Sequence, residues 1–346
     1  MDISALLLAA DLEILDQVEQ HFQPISLAPS VTRSLLLQLD DLQPRPASRT
    51  AALREIVRLV ESGRLHVSQV TFAAQYEAGE FAEQLGQNRW ALLKQAQSSA
   101  GYVVDFLPLH AYDNSRASLS LPSELAGSFT NCRAVLETMR GNLSDLTYQA
   151  AIEHLGNEAN PIESAPVPAA SASLFLHANV VEVLAEASLL STACDCFRIF
   201  IEPDPLERIR QEIRATDHNN SLATWIAQLL ARIERGLDRG IYQTVTVTDE
   251  VLADTRREKL TENPDQQGLA EMLAQPPVPE QVFWVDDRFM SSYQTIQGAT
   301  PIIGISEMLL ALRQRGALDE TGYYQKLLKL RAGNLRYLPL DAKELL

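Results

Sequence analysis

One pattern of apolar spacing occurs twice in this chain, near the end of each half. Cys132, Val135, Leu136 and Met139 stand at i, i+3, i+4 and i+7, and Ile305, Met308, Leu309 and Leu312 do the same. Such spacing places four side chains on one face of a helix. A glycine follows each run, Gly141 or Gly316, and the two are 175 residues apart (316 − 141 = 175). The offset persists through Leu143 and Leu318 into a second amphipathic helix, marked by Tyr148, Ile152 and Leu155 or by Tyr323, Leu327 and Leu330. Self-similarity at a fixed offset predicts two copies of one domain. Their expected extents are 1–156 and 172–346, joined by a linker at 157–171 that is rich in Pro, Ala and Ser.

Strands and helices alternate in both copies. The first copy reads as a helix through His21, a strand at 25–27, a helix after Pro29 and a helix at 51–62 closed by Gly63. A strand at 67–72, a helix at 79–97, a strand at 102–105 and an irregular stretch at 106–131 follow. The second reads as a strand at 172–176, a helix at 180–194, a strand at 197–201, a helix after Pro203, a helix at 225–238 and a strand at 242–247. A loop at 261–280, with one helical turn in its middle, leads to a strand at 282–287, and 335–338 reads as a closing strand. This order predicts an α/β fold, each copy a Rossmann-like parallel sheet flanked by helices. Such sheets carry their sites at the carboxyl ends of the strands. Asp2 and His177 share the offset of 175, yet no residues remain before Asp2 for a strand like 172–176. Either that strand is missing or the chain is a piece of a longer polypeptide, and the second is our expectation.

Composition narrows the class. With 346 residues, 46% of them hydrophobic, the chain is long enough for two cores. No apolar run approaches the roughly 20 residues of a membrane span, so no membrane partner is expected. Three cysteines make no disulfide framework, and residues 1–8 have no basic start, which together predict a cytoplasmic protein. A formal charge of −16 disfavours simple electrostatic binding of nucleic acid. It leaves room for a metal-dependent nuclease, whose acidic site takes a divalent cation first.

Several residues could carry chemistry. Asp2, at the mouth of the first helix, and Asp105, at the end of an apolar strand, form one candidate pair for Mg²⁺ or Mn²⁺, with a helix cap and a turn residue as the plain alternatives. Asp286 and Asp287 end the apolar run 282–285 and precede Arg288; neighbouring strand residues face opposite ways, and Asp286 aligns with Asp105. The plain alternative there is a solvated strand end paired with Arg288. Glu207, on the helix after Pro203, is a further metal candidate beside its reading as a solvated helical residue. His177 occupies the place of Asp2, either as a ligand or as a hydrogen-bonded structural histidine. Cys194 and Cys196 have no second cysteine pair to complete a zinc site, and no glycine-rich phosphate loop or nucleophile elbow occurs.

Each copy resembles a PIN-like domain, the fold of toxin-type and other metal-dependent ribonucleases. The resemblance rests on Asp2-Ile3-Ser4-Ala5-Leu6 and its helix, on Ala28-Pro29-Ser30-Val31, on Trp284-Val285-Asp286-Asp287-Arg288, and on the stretch from Gly304 to Gly316 with its hairpin. It implies acidic residues around one or two Mg²⁺ ions that cut single-stranded RNA with an activated water. On this sequence the first acid falls on Asp2 but on His177 in the second copy, and the third on Asp105 and on Asp286 or Asp287. The glutamate after the Pro-Ser-Val turn falls near Ser34, and on Arg208 with Glu207 beside it. Neither copy keeps the full set, so two functions are expected. One is a Mg²⁺- or Mn²⁺-dependent endoribonuclease, a hydrolase with a weak or degenerate site. The other is a pseudo-enzyme pair serving as a protein-interaction or regulatory module in a larger assembly, an internal pseudo-dimer or homodimer. Another phosphoryl-transfer enzyme using Asp286 and Asp287 is a third, lesser reading.

Overall fold

A computed structural model describes residues 1–42, 46–68, 80–106, 109–110, 119, 121–156, 165–245, 264–276, 278–286, 295–296 and 300–333. Two compact units emerge, and neither is a sequence half. The first takes Met1–Gln43 and Asn220–Leu346; the second is Pro44–Asn219. The expected extents 1–156 and 172–346 differ from this division because strands of the two halves pair within one sheet.

The chain opens, in unit 1, with helix α1 (Ile3–Asp11), helix α2 (Leu15–His21), strand β1 (Ile25–Leu27) and helix α3 (Pro29–Asp41). Pro29 stands at the start of α3, where its fixed φ suits the first turn and no amide hydrogen is missed. Unit 2 follows with α4 (Ala47–Glu61), β2 (Leu65–Val67), α5 (Glu80–Leu85), α6 (Gln87–Ser98) and β3 (Tyr102–Val104). The stretch expected to be irregular holds a short helix α7 (Ser123–Ala126) and strand β4 (Phe129–Thr130). The repeated hairpin is α8 (Cys132–Met139) and α9 (Asp145–Gly156). Next come β5 (Ser173–Leu176), α10 (Ala178–Glu186), α11 (Leu190–Cys196) and β6 (Arg198–Ile201).

The sheet of unit 2 has the order β2-β6-β5-β3-β4, and every neighbouring pair is parallel. Strands of the second sequence half therefore occupy its middle. β5 suits that place: Leu174 and Leu176 point into one core with Ile199 and Ile201, and Phe175 points into another with Val103 and Phe129. An apolar run buried on both faces is the signature of a central parallel strand. Gly101 lets β5 approach, since a Cβ there would stand 2.5 Å from the Ser173 carbonyl oxygen.

Helix α12 (Pro203–Asp238) runs for 36 residues, its first part in unit 2 and its remainder in unit 1. Two shorter helices were expected, because the polar run through Asn219, Asn220 and Ser221 has weak helix propensity. Unit 1 then adds β7 (Tyr242–Thr244), α13 (Pro264–Leu273), β8 (Phe283–Trp284), β9 (Thr295–Ile296), β10 (Thr300–Ile303) and the second hairpin, α14 (Ile305–Gln314) and α15 (Glu320–Ala332). β1 pairs in parallel with β7, β8 pairs in parallel with β10, and β9 joins β10 antiparallel. The apolar stripe Ile305, Met308, Leu309 and Leu312 is buried with Leu6, Ile14 and Leu35 of the N-terminal segment. Gly316 turns the hairpin at φ +69°, a conformation that favours glycine, whereas Gly141 lies in a 3-10 turn (Arg140–Asn142) without positive φ. The expected strand 335–338 and part of the linker lie outside the described residues. Among the described residues, no helix is long and apolar enough to cross a membrane.

Candidate functional site

The parallel sheet of unit 2 ends in a row of polar residues. Reading across the sheet, Ser68, Glu202, His177 and Asp105 each follow the last residue of β2, β6, β5 and β3. Asp105 is fully buried. Its carboxylate accepts the Phe106 backbone N–H at 2.8 Å, and Arg89 of α6 faces it. Arg89 Nε stands 2.8 Å from Asp105 Oδ2 as an ion pair without the N–H alignment of a hydrogen bond, and Nη2 donates at 3.5 Å to Oδ1. The guanidinium therefore supplies the positive charge that faces the buried carboxylate. His177 next to it is half-buried, and burial pulls its pKa down against the pull of Asp105 upward. Its Nδ1 has no hydrogen-bond partner among the described residues.

Unit 1 repeats the backbone of this arrangement with other side chains. Asp2 N donates to the Trp284 carbonyl at 3.0 Å, as His177 N donates to the Val104 carbonyl at 3.5 Å. Asp2 thus meets Asp286, which stands two residues beyond Trp284. Asp2 caps α1 through Ala5 N–H, 2.8 Å from Oδ1, and Ser4 Oγ donates to Oδ2 at 2.7 Å. Asp286 N donates to the same Ser4 Oγ at 3.3 Å. The Asp286 carboxylate accepts from Trp284 Nε1 at 2.8 Å and from Ile305 N at 2.7 Å. Residues two apart on an extended chain share a face, which brings the indole to the acid. Burial pushes Asp286 up to about 6, against its two hydrogen bonds, and Asp2 and Glu307 push in the same direction. Asp2 is also raised by burial, opposed by Ser4 and Ala5. Glu307 itself closes the start of α14, accepting Gly304 N at 3.0 Å and Ser306 Oγ at 2.9 Å.

The expected residues therefore regroup. Asp2 and Asp105, one candidate pair in the sequence, belong to different units. Asp2 pairs with Asp286, and Asp105 with His177 and Arg89. Glu207 lies in the part of α12 belonging to unit 2, whereas Asp286 belongs to unit 1; it is exposed, with its carboxylate 2.9 Å from Arg214. Asp287 lies outside the described residues. Sequence reasoning missed Arg89, Ser4 and Trp284. The signal for Arg89 was the need of a buried strand-end carboxylate for a partner; for Trp284 it was the two-residue spacing to Asp286.

Metal fit differs between the units. In unit 2 the guanidinium on Asp105 and the histidine in place of an acid do not suit a hard divalent cation. In unit 1 two carboxylates meet, yet among the described residues no group of three or more His, Cys, Asp or Glu could hold a metal ion. Asp286 and Ser4 also border an open groove of about 680 Å³ in unit 1, lined by residues of α1, α3 and α12. No protein-family model, curated protein or solved structure matches the chain.

Proposed function

We propose that this chain is a PIN-like protein whose acidic centres do not turn over substrate, and that it serves as a binding or regulatory module. The Arg89–Asp105 ion pair carries this reading. A site built to recruit Mg²⁺ leaves its carboxylates to the metal, whereas here a cationic side chain pairs with the buried acid and a histidine stands where the second acid is expected. Full hydrolytic rate needs a complete ligand set that orients water. The test combines calorimetry with Mg²⁺ and Mn²⁺ and a cleavage assay on single-stranded RNA. The expected result is no saturable metal binding and no cleavage. Metal-dependent cleavage abolished by Asp286→Asn would overturn the reading.

A second reading keeps ribonuclease activity in unit 1, and the meeting of Asp2 with Asp286 favours it. Those two carboxylates would hold the cation, which would supply a Lewis acid and an activated water. The Ser4 hydroxyl would orient Asp2, and Trp284 and Ile305 N–H would orient Asp286. The same assay separates the readings.

A further inference from the structure

Three helices of unit 1 each turn a short stripe toward the groove beside Asp286. α1 contributes Ser4, Leu7, Leu8 and Asp11, at i, i+3, i+4 and i+7. α12 contributes Leu222, Trp225 and Ile226, and the end of α3 contributes Gln38, Asp41 and Leu42. The walls are thus mostly apolar, and one of them carries an indole. The charged groups among the described lining residues are all acidic: Asp11, Asp41 and Asp286. Lys329 offsets Asp11, with Nζ 3.2 Å from Oδ1, so Asp41 and Asp286 carry the negative field. Small-molecule sites have volumes of roughly 300–1,000 Å³ with mostly apolar walls and a few placed polar groups. The groove is open to solvent and matches that class in its volume of about 680 Å³ and its mostly apolar lining.

We propose that this groove binds a small amphiphilic organic cation, an apolar body bearing a primary ammonium group. The leucines and Ile226 take the apolar body. The Trp225 ring adds the attraction of an aromatic face for a cation, and Asp41 and Asp286 receive the ammonium. An anionic ligand would face two carboxylates with no cation among the described lining residues. A neutral one would gain nothing from the charge of those carboxylates while removing water from them, at a cost in affinity. This inference rests on the reading of the chain as a binding module and names its ligand class.

Three isosteric probes test it by calorimetry on the full chain: 4-phenylbutylammonium, 4-phenylbutanol and 4-phenylbutyrate. The ammonium is expected to bind saturably, at least about tenfold tighter than the alcohol, with the carboxylate weaker still. Asp41→Asn should remove most of that preference. Leu222→Lys, which puts a cation into the groove, should abolish ammonium binding while circular dichroism and thermal melting confirm the fold. Absence of saturation up to about 10 mM, a preference below about tenfold, or undiminished binding by Leu222→Lys would each overturn the proposal. These outcomes are independent of the metal and RNA assays, so either inference can fail alone.

Discussion

Each unit buries a carboxylate just past the end of a parallel strand, Asp105 one residue beyond β3 and Asp286 two beyond β8. The expected alignment of the two is therefore off by one residue, and they are held in different ways. In unit 2 Asp105 is fully buried and meets a guanidinium. In unit 1 Asp286 meets another acid and is held by an indole N–H, a backbone N–H and a raised affinity for its proton. A buried ion pair is costly to break from one side, because the remaining charge is stranded. A carboxylate that can take up a proton escapes that cost by losing its charge. The two centres should therefore answer differently to mutation and to pH.

The largest effect is expected from Arg89→Met. Loss of the guanidinium should destabilise unit 2 by about 3–5 kcal/mol, measured by denaturant unfolding. Adding Asp105→Asn should recover most of that loss, since it removes the stranded charge. A cost of Arg89→Met below about 1 kcal/mol would erase the contrast between the units.

Next is the pH dependence of unit 1. The folded state holds the Asp286 proton up to about pH 6, against a usual value of 3.8. Between those values the folded chain binds more protons than the unfolded one, so this contribution is full below about pH 4 and lost as pH rises through 6. Its size is at most about 3 kcal/mol. Asp286→Asn should flatten this part of the stability curve, and persistence of the fall in that variant would locate it elsewhere. Ser4→Ala should cost about 1 kcal/mol and raise the Asp2 carboxyl further, as seen by carboxyl NMR titration, because it deletes the hydroxyl donor. The smallest change is expected from Glu207→Gln, within about 0.5 kcal/mol and without effect on any ligand, because that acid is exposed and paired with Arg214.

The elements of this fold were more legible in the sequence than their partners. The hairpins Cys132–Met139 with Asp145–Gly156 and Ile305–Gln314 with Glu320–Ala332 followed from apolar periodicity. The strands near Val103, Phe175 and Ile199 followed from short β-branched and aromatic runs. Periodicity is local, however, and strand order is not. Nothing in the run Ser173–Leu176 says that it sits between β6 and β3. Pairing Asp2 with Asp105 assumed that each half folds on itself, and the sheet order removes that assumption. Arg89 escaped notice because it is one charged residue on a helix, and only three-dimensional proximity gives it Asp105.

The central claim is that each unit is built from both halves of the sequence. It is tested most directly by a disulfide between registered neighbours of β3 and β5, Tyr102→Cys with Leu174→Cys, in a background where Cys132, Cys194 and Cys196 are replaced by serine. After cleavage at a protease site placed within 157–164, the account predicts that the oxidised protein runs as a single full-length band without reductant and as two fragments with it. Two fragments under both conditions, from a protein that binds and melts as the uncut chain does, would contradict it.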